Sequence, residues 1–154
     1  MKKAVVIDGN SIAYAAQNSK PLTTGAGEPV QAIYGTLRTI KQIHQDSPEA
    51  KVVVLWDSPR DWWSAEYPEY KGERENTEEQ KTMRSELKDQ RPDIVRALYY
   101  LGVDQLSADG FEADDLGWVL GSRFEKASFF VEYRTGDTDW LQLVTEWPYP
   151  WPLS

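Results

Sequence analysis

Seven acidic residues stand where strand-like runs end or helical patterns begin, positions from which side chains can meet a ligand. Asp8 closes the β-branched run AVVID, and Asp57 closes the longer run KVVVLWD. The other five occur in two short motifs, GFEADD and TGDTD. They are Glu112, Asp114, Asp115, Asp137 and Asp139.

Carboxylates gathered at one place repel one another and raise one another's pKa, so they favour a bound cation. An all-oxygen set, in a chain with no Cys and a single His, suits Mg²⁺, or alternatively Mn²⁺, rather than zinc. Two such ions roughly 3.5–4 Å apart can activate a water and stabilise the leaving oxygen of a phosphodiester. The acids therefore predict two metal ions and phosphodiester hydrolysis.

Each acid also has a simpler structural explanation. Asp8 and Asp57 could be turn or helix N-cap residues, and Asp114 and Asp115 could stabilise a helix N-terminus through its dipole. The acids of TGDTD could form an Asx-type turn. The metal-cluster interpretation is favoured because all these positions fall at the same predicted edge of a sheet.

The elements that must position the acids alternate between strands and helices, which indicates an α/β fold with an open, mostly parallel central sheet flanked by helices. Ligands bind such sheets outside the carboxyl ends of the strands. Hydrophobic patterning predicts the following elements. Strands are expected over Ala4–Asp8, Lys51–Asp57, Val103–Leu106 and Ser128–Tyr133, and helices over Pro29–His44, Ile94–Leu101 and Ala113–Phe124, with a short helix from Thr138.

One segment departs from this alternation. Lys71 to Arg91 holds six bases and six acids, with only Met83 and Leu87 as large aliphatic residues. Such a segment is expected to bury no face, so it is either a solvated helix or a mobile excursion from the domain.

Length and charge bound the class of protein. A chain of 154 residues predicts one domain, and the absence of a long apolar run predicts a cytoplasmic protein with no membrane partner. The formal net charge of −8 disfavours a nucleic-acid partner. Two bound divalent cations would halve that charge and weaken the objection.

Five motifs together resemble the 5′-nuclease superfamily, which includes flap endonucleases, bacteriophage 5′→3′ exonucleases and the 5′-nuclease domain of bacterial DNA polymerase I. They are VVIDGNSIAY, VVLWD, EYPEYKGER, DGFEADD and TGDTDWLQLV, and the match runs from about Lys3 to Val144. The resemblance implies a PIN-like, resolvase-like N-terminal domain with a charged helical arch over about residues 60–91. It also implies a Mg²⁺-dependent 5′→3′ exonuclease or flap endonuclease.

The resemblance also assigns metal ligands. Asp8, Asp57, Glu112 and Asp114 would surround a first metal, and Asp115, Asp137 and Asp139 would be directed toward a second. Of these residues, Asp8 and Asp114 are predicted to be catalytic.

Nucleic-acid contacts are implied at the base of the arch. Tyr70, Lys71 and Arg74 match positions that receive the single-stranded 5′ end, and Lys71 would stabilise the scissile phosphate. The family commonly has an arginine shortly before the position of the Tyr70–Lys71 pair. In this chain Trp63 stands at that spacing, and Arg60 is the candidate substitute.

The family's helix–turn–helix segment, which grips duplex DNA, has no counterpart before Ser154. The expected partner is DNA with a 5′ end or flap, or an RNA primer, and a separate chain could supply the duplex grip. Two alternatives stay open: a PIN-like ribonuclease, and a non-catalytic accessory protein built on a truncated nuclease fold.

Overall fold

The structure is a computed structural model that describes residues 1–58 and 77–144. Within those ranges, no helix combines the length and the apolar character needed to cross a membrane. The strands are β1 (Lys2–Asp8), β2 (Lys51–Leu55), β3 (Asp104–Leu106) and β4 (Phe129–Arg134). The helices are α1 (Gly9–Gln17), α2 (Gln31–Asp46), α3 (Glu78–Tyr100) and α4 (Ala113–Lys126), followed by a 3₁₀ helix (Thr138–Leu143).

The described strands form one parallel sheet in the order β3-β2-β1-β4. In the centre, Val6 pairs with Val53 on one side and with Tyr133 on the other. The predicted α/β fold and its parallel sheet are confirmed. Because all four strands run the same way, their carboxyl ends share one edge, which we call the acid edge.

Alternate residues of the strands build two hydrophobic cores, one on each face of the sheet, because successive strand side chains point to opposite faces. On one face Ile7 and Val54 pack against α1, α2 and α3. On the other face Val6 and Leu55 pack against α4 and the 3₁₀ helix. The result is three layers, with the sheet between two layers of helix.

Helix α1 was not predicted from the sequence. It has nine residues, GNSIAYAAQ, with few large aliphatic side chains from which a period could be read. Its N-cap is Asp8, whose side chain accepts a hydrogen bond from the Ser11 N–H. The strand therefore turns directly into a helix at the first acid.

The charged segment needs a correction. From Glu78 onward it belongs to α3, a single helix of 23 residues that also includes the segment predicted separately from Ile94. The expectation that it buries no face is wrong for this part, because Leu87 packs against the core and Gln90 is buried. Residues 59–76 lie outside the described ranges, so the predicted arch stays a prediction.

Candidate metal centre

Asp8 is the most enclosed of the candidate ligands, with 6% of its surface exposed. Its carboxylate accepts hydrogen bonds from the Ser11 N–H (3.1 Å) and from the Thr135 hydroxyl (2.9 Å). Burial raises the pKa of Asp8, and the charges of Asp57 and Asp137 raise it further, against the lowering effect of the two hydrogen bonds. This carboxylate is therefore held in place although its charge is disfavoured.

Gly9, the first residue of α1, packs tightly against Trp56, the residue that follows β2. A Cβ built at Gly9 would lie 2.8–2.9 Å from three atoms of the Trp56 ring. Real Cβ atoms do not make contacts that short, so only glycine fits without a shift of Trp56. The glycine of the IDGN motif is thus a packing requirement beside Asp8.

Asp57 lies two residues beyond β2, and its hydrogen bonds reach helices on both faces of the sheet. Its Oδ1 accepts a hydrogen bond from the Ala113 N–H at 2.8 Å, at the start of α4. Its main-chain carbonyl accepts one from the Arg91 Nη2 at 2.9 Å, on α3. The Ser58 N–H donates to the Phe111 carbonyl at 3.1 Å.

Three acids surround the N-terminus of α4. Glu112 and Asp115 form a reciprocal capping box, in which the Glu112 N–H donates to the Asp115 Oδ2 at 3.1 Å. Asp114 is half-buried, and burial raises its pKa, with further increases from the charges of Asp115 and Asp57. The helix-start explanation of these acids is therefore correct, and it does not remove their mutual repulsion.

Asp137 and Asp139 are exposed and follow β4. The Asp139 N–H donates to the Asp137 Oδ1 at 2.9 Å, which is the predicted Asx-type turn. The turn is fastened to α1, because the Gly136 N–H donates to the Ser11 hydroxyl at 2.6 Å. This connection brings the charge of Asp137 close enough to Asp8 to affect its pKa.

Electrostatic coupling shows which acids face a common region. The charges of Asp57 and Asp137 contribute to the raised pKa of Asp8, and those of Asp115 and Asp57 contribute to the raised pKa of Asp114. Among residues 1–58 and 77–144, however, no three Asp, Glu or His side chains stand in an arrangement that would hold an ion without moving. Most of these carboxylates hydrogen-bond instead to donors of the protein.

The residues fit a hard divalent cation on two grounds. The donors at the acid edge are carboxylate oxygens, which Mg²⁺, Mn²⁺ and Ca²⁺ prefer. In addition, a buried carboxylate whose pKa is raised by burial and by acidic neighbours would be stabilised by a nearby cation. The described carboxylates would have to rearrange in order to coordinate an ion.

Sequence reasoning missed three supporting residues. Ser11 stands three positions after a strand-end Asp, which is the spacing of an N-cap bond and could have been found. Thr135 and Arg91 carry no such local signal, since they reach the site from 127 and 34 residues away in sequence.

The predicted nucleic-acid contacts Arg60, Tyr70, Lys71 and Arg74 lie outside the described residues. Beside the acids, a cleft of about 630 Å³ runs between α4 and the 3₁₀ helix. Asp114, Asp115, Phe111 and Trp118 line it, and Trp118 is 63% exposed. The acid edge therefore opens onto a partly apolar cleft.

Comparison with known proteins identifies the family. The sequence model of the "5′-3′ exonuclease, N-terminal resolvase-like domain" family matches residues 3–149. The 5′-3′ exonuclease of Aquifex aeolicus is 33% identical over 148 residues, covering 95% of this chain and 49% of that protein. The thermostable DNA polymerase I of Thermus filiformis is 32% identical over 145 residues, covering 94% of this chain and 17% of that protein.

The fold matches solved structures as well. A structure of the bacteriophage T5 5′-exonuclease with bound divalent zinc superposes with a TM-score of 0.70 at 21% identity, covering 94% of this chain and 52% of that one. A T5 flap endonuclease complex with DNA and metal ions superposes with a TM-score of 0.68 at 22% identity, with the same coverage. The chain thus spans about half the length of these exonucleases. Since the family model covers nearly all of it, this chain belongs to the 5′-3′ exonuclease family and corresponds to the N-terminal resolvase-like domain.

Proposed function

We propose that this chain is the catalytic domain of a Mg²⁺-dependent 5′ nuclease that hydrolyses DNA phosphodiesters at a 5′ end or flap. One observation carries the proposal: Asp8 is buried at the acid edge, and its pKa is raised by that burial and by the charges of the acids Asp57 and Asp137. A carboxylate with these surroundings is a binding group for a cation. Its relatives, which include exonucleases and DNA polymerases, agree with a nuclease.

The acids divide into two groups in the proposed mechanism. Asp8, Asp57, Glu112 and Asp114 would hold a first ion, and Asp115, Asp137 and Asp139 would contribute to a second. Bound ions of this kind activate a water and neutralise charge on the phosphate. The hydrogen bonds from Ser11, Thr135 and the Ala113 N–H orient the carboxylates of Asp8 and Asp57.

Lys71 would lie beside the scissile phosphate and stabilise the charge that develops there. Arg60, Tyr70 and Arg74 would bind the single-stranded 5′ end. Grip on the duplex would come from a separate chain or from a longer form of this one. Because the chain spans only part of its relatives, the substrate and partners of the whole protein belong to this proposal.

A cleavage assay tests the function. The protein is incubated with labelled 5′-flap DNA, blunt duplex and single-stranded RNA, with Mg²⁺ or with EDTA. We expect flap cleavage that requires Mg²⁺ and disappears in Asp114→Asn but persists in Asp104→Asn, a matched change at the far end of β3. Cleavage of RNA alone would select the PIN-like ribonuclease, and binding without cleavage would select the accessory protein.

Lys71 has its own test. Lys71→Ala should lower kcat at least about tenfold while KM for flap DNA changes little, because the lost contact is made mainly in the transition state. Lys41→Ala, an exposed change on α2, is the control. Equal losses in kcat and in DNA affinity would contradict the role at the phosphate.

A further inference from the structure

Arg91 lies on α3 next to the candidate metal centre, although no sequence motif marks it. Its Nη2 donates to the main-chain carbonyl of Asp57 at 2.9 Å. Its guanidinium carbon stands 5.2 Å from the centroid of the Trp56 ring, in a cation–π contact. Both contacts are made at the exit of β2, to the acid and to the residue just before it.

The surface on which Arg91 rests is fixed. Trp56 is 3% exposed, and its indole Nε1 donates to the Gln105 Oε1 at 2.9 Å. Gln105 in turn donates through Nε2 to the Val95 carbonyl at 3.0 Å. Since Val95 is one turn beyond Arg91, these contacts close a ring from α3 through Gln105 of β3 and Trp56, just after β2, back to α3. The guanidinium is therefore held by residues with little freedom to move.

Arg91 also completes the support of Asp57 from the opposite side to α4. The Ala113 N–H holds the Asp57 carboxylate at 2.8 Å, and the Phe111 carbonyl accepts from the Ser58 N–H at 3.1 Å. Without Arg91, Asp57 would lose its described hydrogen bond to α3, while the bonds of the chain leaving β2 to β3 and toward α4 would remain.

We propose that Arg91 is a positioning residue, which holds Asp57 in the place needed for metal binding and so ties α3 to the metal centre. The inference rests on the proposed function, because it assumes that Asp57 binds a metal ion. Helix α3 directly follows the stretch that carries Tyr70, Lys71 and Arg74. Arg91 would then connect the helix after the proposed DNA-binding stretch to the metal ligands.

Positioning and charge have opposite effects on cation affinity, which makes the proposal testable. A fixed guanidinium repels an incoming cation, so removing its charge alone would tighten metal binding, by a few-fold at most in screening salt. Removing a group that orients a ligand weakens metal affinity by roughly 10–100-fold. If Arg91 acts mainly by positioning, the second effect outweighs the first.

The experiment measures Mn²⁺ binding by calorimetry for the wild-type protein, Arg91→Gln, Arg91→Lys and the control Arg96→Gln. Arg96 lies on the same helix, is exposed and pairs with Asp93. We expect Kd for Mn²⁺ to rise at least about tenfold in Arg91→Gln. It should rise less in Arg91→Lys, whose ammonium can reach the carbonyl but cannot stack as a planar group. Arg96→Gln should match the wild type.

Flap cleavage at increasing Mg²⁺ gives a second measurement. Arg91→Gln should need about tenfold more Mg²⁺ for half-maximal activity, with KM for DNA unchanged. Melting in EDTA verifies that each variant is folded, and if Arg91→Gln is not, Arg91→Lys decides alone. Unchanged or tighter Mn²⁺ binding in the folded variants would overturn the positioning role. A wild-type protein that neither binds Mn²⁺ nor cleaves DNA would instead overturn the proposed function and this inference with it.

Discussion

Two carboxylates on neighbouring strands experience opposite electrostatic environments. Glu132 on β4 lies between Lys3 and Arg134, each 2.5 Å away. Burial raises its pKa, but the hydrogen bond from Lys3 and the charge of Arg134 outweigh that effect, so the pKa is lowered. Asp8 on β1 has a raised pKa, from burial and from the acids Asp57 and Asp137.

The difference shows that the charge of Glu132 contributes to the stability of the fold, whereas a charge on Asp8 reduces it. Glu132 is ionised beside the protein's own cations, as in ordinary surface ion pairs. Asp8 is buried and lies beside other acids, so its ionised form has a cost in stability that the fold could avoid with a neutral residue. That cost is understandable if the acid edge is built for a cation from solution.

The largest expected effect comes from Asp8→Asn. Nuclease activity should fall at least about 100-fold, because bound metal contributes several kcal/mol to the transition state. Stability in EDTA should rise, because the amide has no charge to bury and none to repel Asp57 and Asp137. Cleavage of flap DNA and the melting temperature in EDTA measure the two effects.

Asp104→Asn, at the opposite end of the sheet, is the control for both measurements. A melting temperature in EDTA that falls in Asp8→Asn would show that the hydrogen bonds to Ser11 and Thr135 matter more than the repulsion. The comparison between Asp8 and Glu132 would then fail.

Gly9→Ala perturbs the support of Asp8 while leaving its charge in place. The new methyl group would meet the Trp56 ring, and overpacking of this kind costs about 1–3 kcal/mol. Urea unfolding measures the loss. Gly25→Ala is a matched control, since a Cβ at Gly25 meets nothing within 4 Å. Equal stability of the two variants would show that Trp56 can move aside.

Asp137→Asn tests an exposed member of the acid edge. Asparagine can still accept the hydrogen bond from the Asp139 N–H, so stability should change by no more than about 0.5 kcal/mol. Activity should fall roughly tenfold, the lower end of the range for groups that support a metal. It should recover as Mg²⁺ is raised. A loss as large as that of Asp8→Asn, without recovery at high Mg²⁺, would contradict this ordering.

The smallest effect concerns Glu132. Because its pKa is lowered in the folded state, its contribution is present above the unfolded value near 4.5 and is lost as the pH falls through the folded value. The Glu132 side chain is 23% exposed, and its partners Lys3 and Arg134 are more exposed still, at 31% and 49%, so the contribution should be about 1 kcal/mol or less. Glu132→Gln should reduce the loss of stability on acidification below about pH 4.5, in urea unfolding at several pH values. If the free energy of unfolding of Glu132→Gln depends on pH as that of the wild type does, Glu132 does not contribute to the acid sensitivity of the fold.

Much of the fold could be predicted because the residue types in the central strands indicate that these strands are buried. The runs around Val6 and Val53 are β-branched, and α2 repeats its apolar residues at helical spacing. Helix α3 was underestimated because its first half has few apolar residues. What anchors it is Gln90, whose Oε1 accepts from the Ala32 N–H at 3.0 Å and whose Nε2 donates to Gln17 at 2.9 Å. A buried amide of this kind depends on partners that no local pattern reveals.

The acids were identifiable from motifs, but their present partners were not. Asp137 forms the turn that its sequence indicates, whereas the hydroxyl of Thr135 reaches Asp8 only because β4 pairs with β1. Arg91 lies in a run of mixed charge where any base resembles a surface residue. Its position follows from the packing of α3 against the exit of β2, which is a tertiary property.

The order of the strands has a consequence for how the protein folds. Strand β1 is central in the sheet, and β4, one of its two partners, is the last of the described strands along the sequence. The hydrogen bond between Thr135 and Asp8 joins residues 127 positions apart. Contacts of such large separation slow folding, and until β4 docks one edge of β1 is unpaired and prone to aggregation. During synthesis, the acid edge would be complete only after β4 and the two acids that follow it, Asp137 and Asp139, have left the ribosome.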